Sequence, residues 1–357
     1  MTTLGVGGPA RFFLEAPSAQ AVVDAMRWAN DAGVDVVVLG GGSNLLVADR
    51  GFDGLVLRVA MGGVDAADEG DRVRVRAAAG ITWDDLVARS VAEGWAGIEC
   101  LSGIPGLVGA TPIQNVGAYG QEVAETIAQV TAIDRETLTQ VTFEAGACGF
   151  GYRDSLFKRE WRGRCIVTHV TFLLTRGGAP AVRYGELARR LSHGTGPEPS
   201  LADVRRAVLN LRRSKSMVLD ADDENRRSAG SFFVNPTVDS EQLAEVRDRV
   251  ARAGVLQPGE SMPEHAAAHG RVKLSAAWLI ERAGFAKGTR DGSVGISTRH
   301  SLAIINLGTA KASNLLGFAT RVRDRVRDQL GVALVPEPVP VGFRAGELRD
   351  LFDPRDH

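Results

Sequence analysis

An uncharged stretch of small residues, 101–120, constrains this chain more than any other feature. It reads LSGIPGLVGATPIQNVGAYG, rich in glycine, alanine and proline, with Gln114, Asn115 and Tyr119 near its end. A solvated loop would carry more polar side chains, and a core helix would not contain so many glycines. Small residues that leave backbone N–H groups accessible suit close contact with a pyrophosphate and a flat ring. The stretch therefore predicts a nucleotide-binding segment.

A second segment of this kind lies upstream at 36–46 and reads VVVLGGGSNLL. Two such segments suggest one extended dinucleotide that is held from two sides. The glycines follow a predicted buried strand at 34–39, but residues 45–47 continue as extended chain, so the helix N-terminus of a Rossmann fold is missing. Taken alone, 36–46 also fits a plain β-turn. A G-x-G-x-x-A match at 5–10 follows no strand, and we do not interpret it as a Rossmann site.

The composition is typical of a soluble cytoplasmic protein with two or three domains. The chain has 357 residues, 44% of them hydrophobic, a mean hydropathy of -0.04 and a formal net charge of -1. This balance gives no electrostatic reason to expect nucleic acid or an acidic membrane as a partner. We expect no signal peptide and no membrane span, because no suitable apolar run is present. Three cysteines without CxxC spacing predict reduced, mostly buried thiols.

Hydrophobic periodicity and turn residues predict a mixture of helices and strands. Ser18 is expected to cap the first helix, and Thr82 with Asp85 is expected to form a capping pair at the second. The predicted helices are 18–30, 82–92, 201–213, 240–253, 275–283 and 312–330. The predicted strands are 34–39, 55–59, 71–77, 126–134, 138–143, 164–174 and 301–306.

Three polar residues are distinguished by their neighbours in the sequence. Ser231 has a glycine before it and two phenylalanines after it, so its hydroxyl either completes a hydrogen-bonded turn or donates a proton. Glu337 lies between Pro336 and Pro338, so its backbone is stiff, which fits an aimed carboxylate or a structural tail. Arg153 follows a tyrosine in a predicted turn, and a surface turn with an ion pair explains it equally well.

Taken in order, fragments along nearly the whole chain resemble one family, the UDP-N-acetylenolpyruvoylglucosamine reductases (MurB). The segment 184–187 (YGEL) resembles the tyrosine loop of the family's first subtype. Gly41 departs from the family pattern because an acidic residue is common there, and Pro338 departs because a β-branched residue is usual. The matching fragments are 2–5, 39–46, 102–120, 151–158, 229–236, 273–280 and 336–337.

The resemblance implies an α+β fold with three domains. Its first FAD-binding subdomain is expected at 1–60, the second at 61–213 and the substrate-binding domain at 214–330. The tail, 331–357, is expected to pack back toward the flavin region. The FAD-binding region is expected to be of the vanillyl-alcohol-oxidase-like, or PCMH-type, class.

The resemblance also implies a cytoplasmic, monomeric flavoenzyme with non-covalently bound FAD and with NADPH as hydride donor. It would reduce UDP-N-acetylglucosamine enolpyruvate to UDP-N-acetylmuramate in peptidoglycan precursor synthesis, without nucleic acid or membrane partners. The alternative is an FAD-dependent oxidase of the same superfamily that acts on an alcohol or a hydroxy acid. Such oxidases often bond the flavin through a histidine or cysteine near the N-terminal loop, and none lies between 36 and 48. We expect no metal site, because His265 and His269 lack a third ligand and suit a solvated loop.

The chemistry of this reaction explains the residue types. Hydride addition to the enol ether leaves negative charge that needs a positive or hydrogen-bonding group, and an acid must protonate the neighbouring carbon. By resemblance, Ser231 is the acid, and Arg153 and Glu337 polarise the substrate and stabilise the intermediate. The residues expected to bind the UDP-sugar are Tyr184, Arg212, Lys215 and Asn235. The residues expected to contact FAD are Gly40, Gly41, Gly42, Ser43, Asn44, Leu45, Ser102, Gly103, Pro105, Gly106, Gly109, Gln114, Asn115 and Gly120.

Overall fold

The computed structural model describes residues 1–192, 198–348 and 351–352, and the chain divides into two units. The larger one, here called the N-terminal unit, contains residues 10–42 and 53–219. The C-terminal unit contains residues 1–9, 43–52 and 220–357. The three-domain division stays a prediction, and part of its tail (349–350 and 353–357) lies outside the described residues.

A small sheet and one helix begin the N-terminal unit. The sheet has the strand order Ala10–Ala16, Phe52–Val59, Val36–Leu39, and the last two strands are parallel. The helix Ala19–Asp31 begins where the Ser18 hydroxyl accepts a hydrogen bond from the Ala21 N–H, as predicted. Its buried face includes Val22, Val23 and Met26, which joins the helix to the main core of the unit.

An antiparallel sheet forms the rest of this core. Within Arg72–Ala78, the side chains of Val73, Val75 and Ala77 are fully buried, whereas the arginines between them are exposed. The predicted strand 71–77 is therefore confirmed within a residue. In spatial order the strands are Gln140–Glu144, Ile127–Asp134, Cys165–Arg176, Arg72–Ala78 and Val64–Glu69, with Trp95–Ala96 paired to Cys165–Arg176. A two-stranded hairpin, Gly117–Ala118 with Gln121–Glu122, lies outside this sheet.

The helix Trp83–Ala92 follows Thr82 as predicted, but it lacks the predicted side-chain cap. The Thr82 side chain makes no capping hydrogen bond, so the predicted pair of Thr82 with Asp85 is wrong. Thr82 instead forms a β-bridge with Leu107, and the carboxylate of Asp84 binds the Arg205 guanidinium at 2.6 and 2.9 Å. Tertiary contacts therefore replace the local cap. The other helices of this unit are Gly185–Ser192 and Leu201–Ser214.

The described residues of the C-terminal unit form short strands and three α-helices around a second core. The predicted helices 240–253 and 312–330 are confirmed within a residue, and Asp49 accepts hydrogen bonds from the Ala312 and Ser313 N–H groups at the start of the latter. The helices are Ser240–Ala253, Ala276–Arg282 and Ala312–Leu330. The strands are Thr237–Val238, Glu264–Ala266, Val272–Leu274, Arg290–Asp291, Val294–Ile296 and Ile304–Asn306. A parallel pair, Leu45–Val47 with Val339–Val341, completes the unit.

The structure shows the surroundings of the three cysteines and of His265, whose environments were predicted from the sequence. Cys100 and Cys148 are buried free thiols and Cys165 is partly buried, as predicted. His265 is exposed, but it lies in a strand rather than in a loop. Within the described ranges no group of three His, Cys, Asp or Glu side chains could hold a metal ion, and no helix is long and apolar enough to cross a membrane.

Candidate functional site

Within the N-terminal unit, the glycines at 40–42 lie against the second small-residue segment, 101–120. A methyl group on Gly41 would come within 2.8 Å of the Gly106 Cα atom, so the two backbones touch. Gly42 and Gly106 have φ angles of 66° and 128°, which residues with a Cβ rarely adopt. The segments predicted to hold one dinucleotide are therefore neighbours, and bare backbone at their contact fits close approach by FAD.

The chain from 101 to 109 is fixed to the segment 79–84. Trp83 donates its backbone N–H to the Gly106 carbonyl at 3.0 Å and its indole N–H to the Leu101 carbonyl at 3.0 Å. Gly109 donates to the Ala79 carbonyl at 3.0 Å, and a methyl group on Gly109 would lie only 2.5 Å from the Ala79 Cβ. This segment is thus held in shape before any ligand arrives.

Some side chains of the predicted FAD-binding set serve the fold of the segment itself. The fully buried Ser102 hydroxyl donates to the Glu99 carbonyl at 2.6 Å. The Asn115 amide donates to Glu122 at 2.7 Å and to the Gly151 carbonyl at 2.9 Å, and its oxygen accepts from the Ala124 N–H. Asn115 therefore connects three pieces of chain beside the uncharged stretch.

Three of the four predicted substrate-binding residues gather in the N-terminal unit around Tyr119. The rings of Tyr119 and Tyr184 meet edge to face with centroids 5.5 Å apart. Lys215 Nζ lies 6.0 Å from the Tyr119 ring centroid and 2.6 Å from the Glu186 carboxylate. The end of the helix Leu201–Ser214 supplies Arg212 and leads directly to Lys215, which explains why these cations are neighbours.

Arg212 is the deepest cation of this group. Burial, with the nearby Arg153 charge, lowers the pKa of its guanidinium to about 10, although Tyr119 and Asp84 act in the opposite direction. Its Nη2 donates to the Met217 carbonyl at 2.6 Å, whereas its buried Nε has no hydrogen-bond partner within the described part of the chain. A buried donor beside a second cation favours an anion as its missing partner.

Tyr119 is the member of the cluster that sequence reasoning did not assign to the site. Its φ of 51° turns the ring toward Tyr184 and Lys215, and burial raises the pKa of its hydroxyl to about 12. The signal was present, since a tyrosine between alanine and glycine in an uncharged stretch has no obvious core role. Its left-handed backbone, which sets the direction of the ring, was not visible in the sequence.

Arg153 occupies a tight turn with a φ of 54°. Gly151 and Asp154 exchange backbone hydrogen bonds across the turn, and Lys158 Nζ donates to the Arg153 carbonyl at 2.8 Å. The ion pair of this turn joins Asp154 to Arg159. A positive φ at a residue with a long side chain is a backbone cost that is typical of functional positions.

Ser231 and Glu337 lie on neighbouring segments of the C-terminal unit, which are joined by backbone hydrogen bonds. Glu337 donates its backbone N–H to the Phe232 carbonyl at 2.9 Å, and Val234 donates to the Val335 carbonyl at 3.0 Å. Phe232 is fully buried, so the chain beside Ser231 is anchored in the core. The structure thus brings the predicted acid and the predicted carboxylate to adjacent positions.

Asn44 and Asn235 each make a hydrogen bond within the C-terminal unit through the side-chain amide. Asn44 Nδ2 donates to the Glu337 carbonyl at 3.1 Å, and its own carbonyl accepts from the Val339 N–H at 2.9 Å. Asn235 Oδ1 accepts the Ala276 N–H at 2.9 Å, where a helix begins. Each amide therefore has a structural partner, besides any ligand that it would contact.

The predicted site residues are divided between the two units, and their roles stay predictions. The N-terminal unit contains Arg153, Tyr184, Arg212, Lys215, Gly40, Gly41, Gly42, Ser102, Gly103, Pro105, Gly106, Gly109, Gln114, Asn115 and Gly120. The C-terminal unit contains Ser43, Asn44, Leu45, Ser231, Asn235 and Glu337.

Two family models match the chain. One, described as an FAD binding domain, matches residues 10–142. The other, described as the C-terminal domain of UDP-N-acetylenolpyruvoylglucosamine reductase, matches residues 222–341. The first therefore includes both small-residue segments, and the second includes Ser231 and Glu337.

Similar proteins of known name agree over nearly the whole chain. A UDP-N-acetylenolpyruvoylglucosamine reductase of Thermobifida fusca is 50% identical over 343 residues, which are 96% of this chain and 95% of that protein. One from Saccharopolyspora erythraea is 50% identical over 345 residues, 95% of this chain and 93% of that one. Among solved structures, the UDP-N-acetylenolpyruvylglucosamine reductase of Thermus caldophilus has a TM-score of 0.63 at 27% identity and covers 95% of both chains.

Proposed function

The chain belongs to the UDP-N-acetylenolpyruvoylglucosamine reductase family, because it is 50% identical to such a reductase over 96% of its length. On that premise we propose its reaction. It reduces the enolpyruvyl group of UDP-N-acetylglucosamine enolpyruvate to give UDP-N-acetylmuramate, a precursor of peptidoglycan. The alternative of a flavin-dependent oxidase is set aside, because the reductase C-terminal domain matches 222–341, a region that such an oxidase does not need.

Bound FAD would supply the transfer of hydride from NADPH to C3 of the enol ether, and the residues that would hold it are those of the two small-residue segments, 36–46 and 101–120. The bare backbone where Gly41 meets Gly106 fits this group, and the fixed shape of 101–109 keeps its N–H groups in place. No histidine or cysteine lies between 36 and 48, so we propose that FAD is held without a covalent bond.

The observation that carries the proposed chemistry is the hydrogen bond from the Glu337 N–H to the Phe232 carbonyl. It keeps a stiff carboxylate-bearing residue beside the turn that bears Ser231. Ser231 then protonates C2 of the substrate, where negative charge develops after hydride transfer. Arg153 and Glu337 polarise the conjugated carboxylate and stabilise that charge.

The cationic cluster around Tyr119 holds the anionic part of the substrate. A diphosphate carries two or more negative charges and accepts charge-assisted hydrogen bonds from guanidinium and ammonium groups. The buried Nε of Arg212, the Lys215 ammonium and the Tyr184 hydroxyl suit such a group. We assign the UDP-sugar diphosphate to this cluster and propose that Asn235 also contacts the nucleotide.

A two-step anaerobic titration tests the function. The purified protein should be yellow, should be bleached by NADPH, and should regain its colour when UDP-N-acetylglucosamine enolpyruvate is added. Denaturation should release free FAD. The protein should be found in the cytoplasmic fraction of the cells, and it should elute as a monomer in size-exclusion chromatography. A protein that NADPH reduces, but that this UDP-sugar does not reoxidise, would contradict the proposed substrate.

A further inference from the structure

Glu337 is held by its backbone from two sides. Its N–H donates to the Phe232 carbonyl at 2.9 Å, and its carbonyl accepts from Asn44 Nδ2 at 3.1 Å. One bond leads to the turn that bears Ser231, and the other leads to the glycine-rich segment predicted to contact FAD. The position of the Glu337 Cα–Cβ bond therefore depends on both.

Asn44 spans the proline that follows Glu337. Its side chain binds the carbonyl before Pro338, and its backbone carbonyl binds the Val339 N–H after it at 2.9 Å. Pro338 lacks an N–H and therefore cannot donate a backbone hydrogen bond to a neighbouring strand. The Asn44 amide thus supplies a connection that the strand cannot make at this position, and the parallel pairing of Leu45–Val47 with Val339–Val341 begins next to it.

We infer that Asn44 is a positioning residue for Glu337, joining the flavin-contact segment to the carboxylate by a side-chain hydrogen bond. The inference rests on the proposed function for the role of Glu337, but its geometric part does not. Asparagine suits this position because its amide N–H reaches the Glu337 carbonyl at 3.1 Å and makes the bond without adding a charge.

The first test measures the geometry in the apoprotein, without any ligand. In Asn44→Ala the amides of 335–341 should exchange hydrogen about 3- to 10-fold faster than in the wild type, which is what the loss of one hydrogen bond gives. Thr3→Val is the matched control, since the Thr3 hydroxyl donates at 3.4 Å to the carbonyl of Ser43, the residue before Asn44. That variant should leave exchange at 335–341 unchanged. Unchanged exchange in Asn44→Ala would overturn the inference.

The second test separates positioning from cofactor binding in the FAD-loaded enzyme. Asn44→Ala should slow reoxidation by the UDP-sugar about 10- to 100-fold more than it slows flavin reduction by NADPH, as expected for a reacting group displaced by a fraction of an ångström. In a Glu337→Gln background the same substitution should add less than about threefold. Equal slowing of both half-reactions, with additive effects in the double variant, would assign Asn44 to FAD binding alone.

The two tests fail in different ways. If the wild-type enzyme is not reoxidised by the UDP-sugar, the proposed function is wrong, and the exchange experiment still decides the geometry. If Asn44→Ala binds no FAD, exchange in the apoprotein remains the deciding measurement.

Discussion

Gly109→Ala is expected to break the nucleotide segment through one contact. The added methyl carbon would lie 2.5 Å from the Ala79 Cβ, 3.2 Å from its Cα and 3.3 Å from its carbonyl oxygen. Carbon atoms prefer separations of about 3.5–4.0 Å, so the segments 79–84 and 101–109 must move apart by about 1 Å. Gly109 has an ordinary backbone conformation, so steric overlap is the whole effect.

The magnitude follows from the cost of overpacking. An extra methyl group in a tight contact costs about 1–3 kcal/mol, and the free energy of unfolding of the apoprotein should fall by that amount. The displaced backbone N–H groups should also raise the dissociation constant of FAD about 10- to 100-fold, because each 1.4 kcal/mol is a factor of ten. Chemical denaturation and fluorescence titration of the apoprotein with FAD measure the two quantities.

Two further variants make the reasoning refutable. Gly146→Ala is the control, since a methyl group there would meet nothing within 4 Å, and it should change neither quantity by more than a small amount. Ala79→Gly combined with Gly109→Ala removes the 2.5 Å contact and should recover part of the lost FAD affinity, beyond the effect of Ala79→Gly alone. If Gly109→Ala binds FAD like the wild type, or if the second substitution recovers nothing, the contact does not control the site.

Three other outcomes are expected. Ser231→Ala should slow reoxidation by the UDP-sugar by about 10²–10⁴-fold and leave flavin reduction by NADPH near its normal rate, and stopped-flow traces in which reoxidation changes only a few-fold would remove Ser231 as the proton donor. Arg212→Met should raise the KM for the UDP-sugar by about tenfold or more. The melting temperature should change little, because the lost hydrogen bond to the Met217 carbonyl is offset by removal of the unpaired buried Nε donor. Initial rates and thermal melts that show lost stability with unchanged KM would contradict this. Burial raises the pKa of Cys100 and of Cys165 to about 12 from 9.0, so these thiols hold their protons in the folded state at pH values where the unfolded chain loses them. Stability should therefore fall as pH rises from about 9 to 12, and a Cys100→Ala, Cys165→Ala variant whose unfolding free energy declines as steeply over that range would rule out this cause.

Local patterns predicted the regular elements well. The helix Ser240–Ala253 and the alternating strand Arg72–Ala78 are specified by nearby residues alone, through an N-cap and through exposed arginines between buried valines. Thr82 makes no capping hydrogen bond and instead forms a β-bridge with Leu107, which is distant in sequence. Capping signals hold when no tertiary partner competes for the same groups.

The candidate site was predictable as a set of residues but not as an arrangement. Tyr119 was missed because its contribution depends on a left-handed φ, which local pattern does not reveal. Asn44 was expected to contact FAD, and that stays a prediction, but the bond from its side-chain amide to a carbonyl 293 residues away was not foreseen. A bond of this sequence separation has no local signature, so only the folded chain shows it.

The C-terminal unit is assembled from segments near both ends of the chain, and this has a consequence for biosynthesis. Its strand Leu45–Val47 leaves the ribosome early, but its partner Val339–Val341 is made almost last. Residues 53–219 of the N-terminal unit are complete long before. At about 5–20 residues per second, the strand that contains Leu46, a fully buried side chain in the finished protein, waits roughly 15–60 s for its pairing partner. A chain that stops before residue 339 leaves this strand without that partner, which makes such a fragment a target for chaperones and proteases.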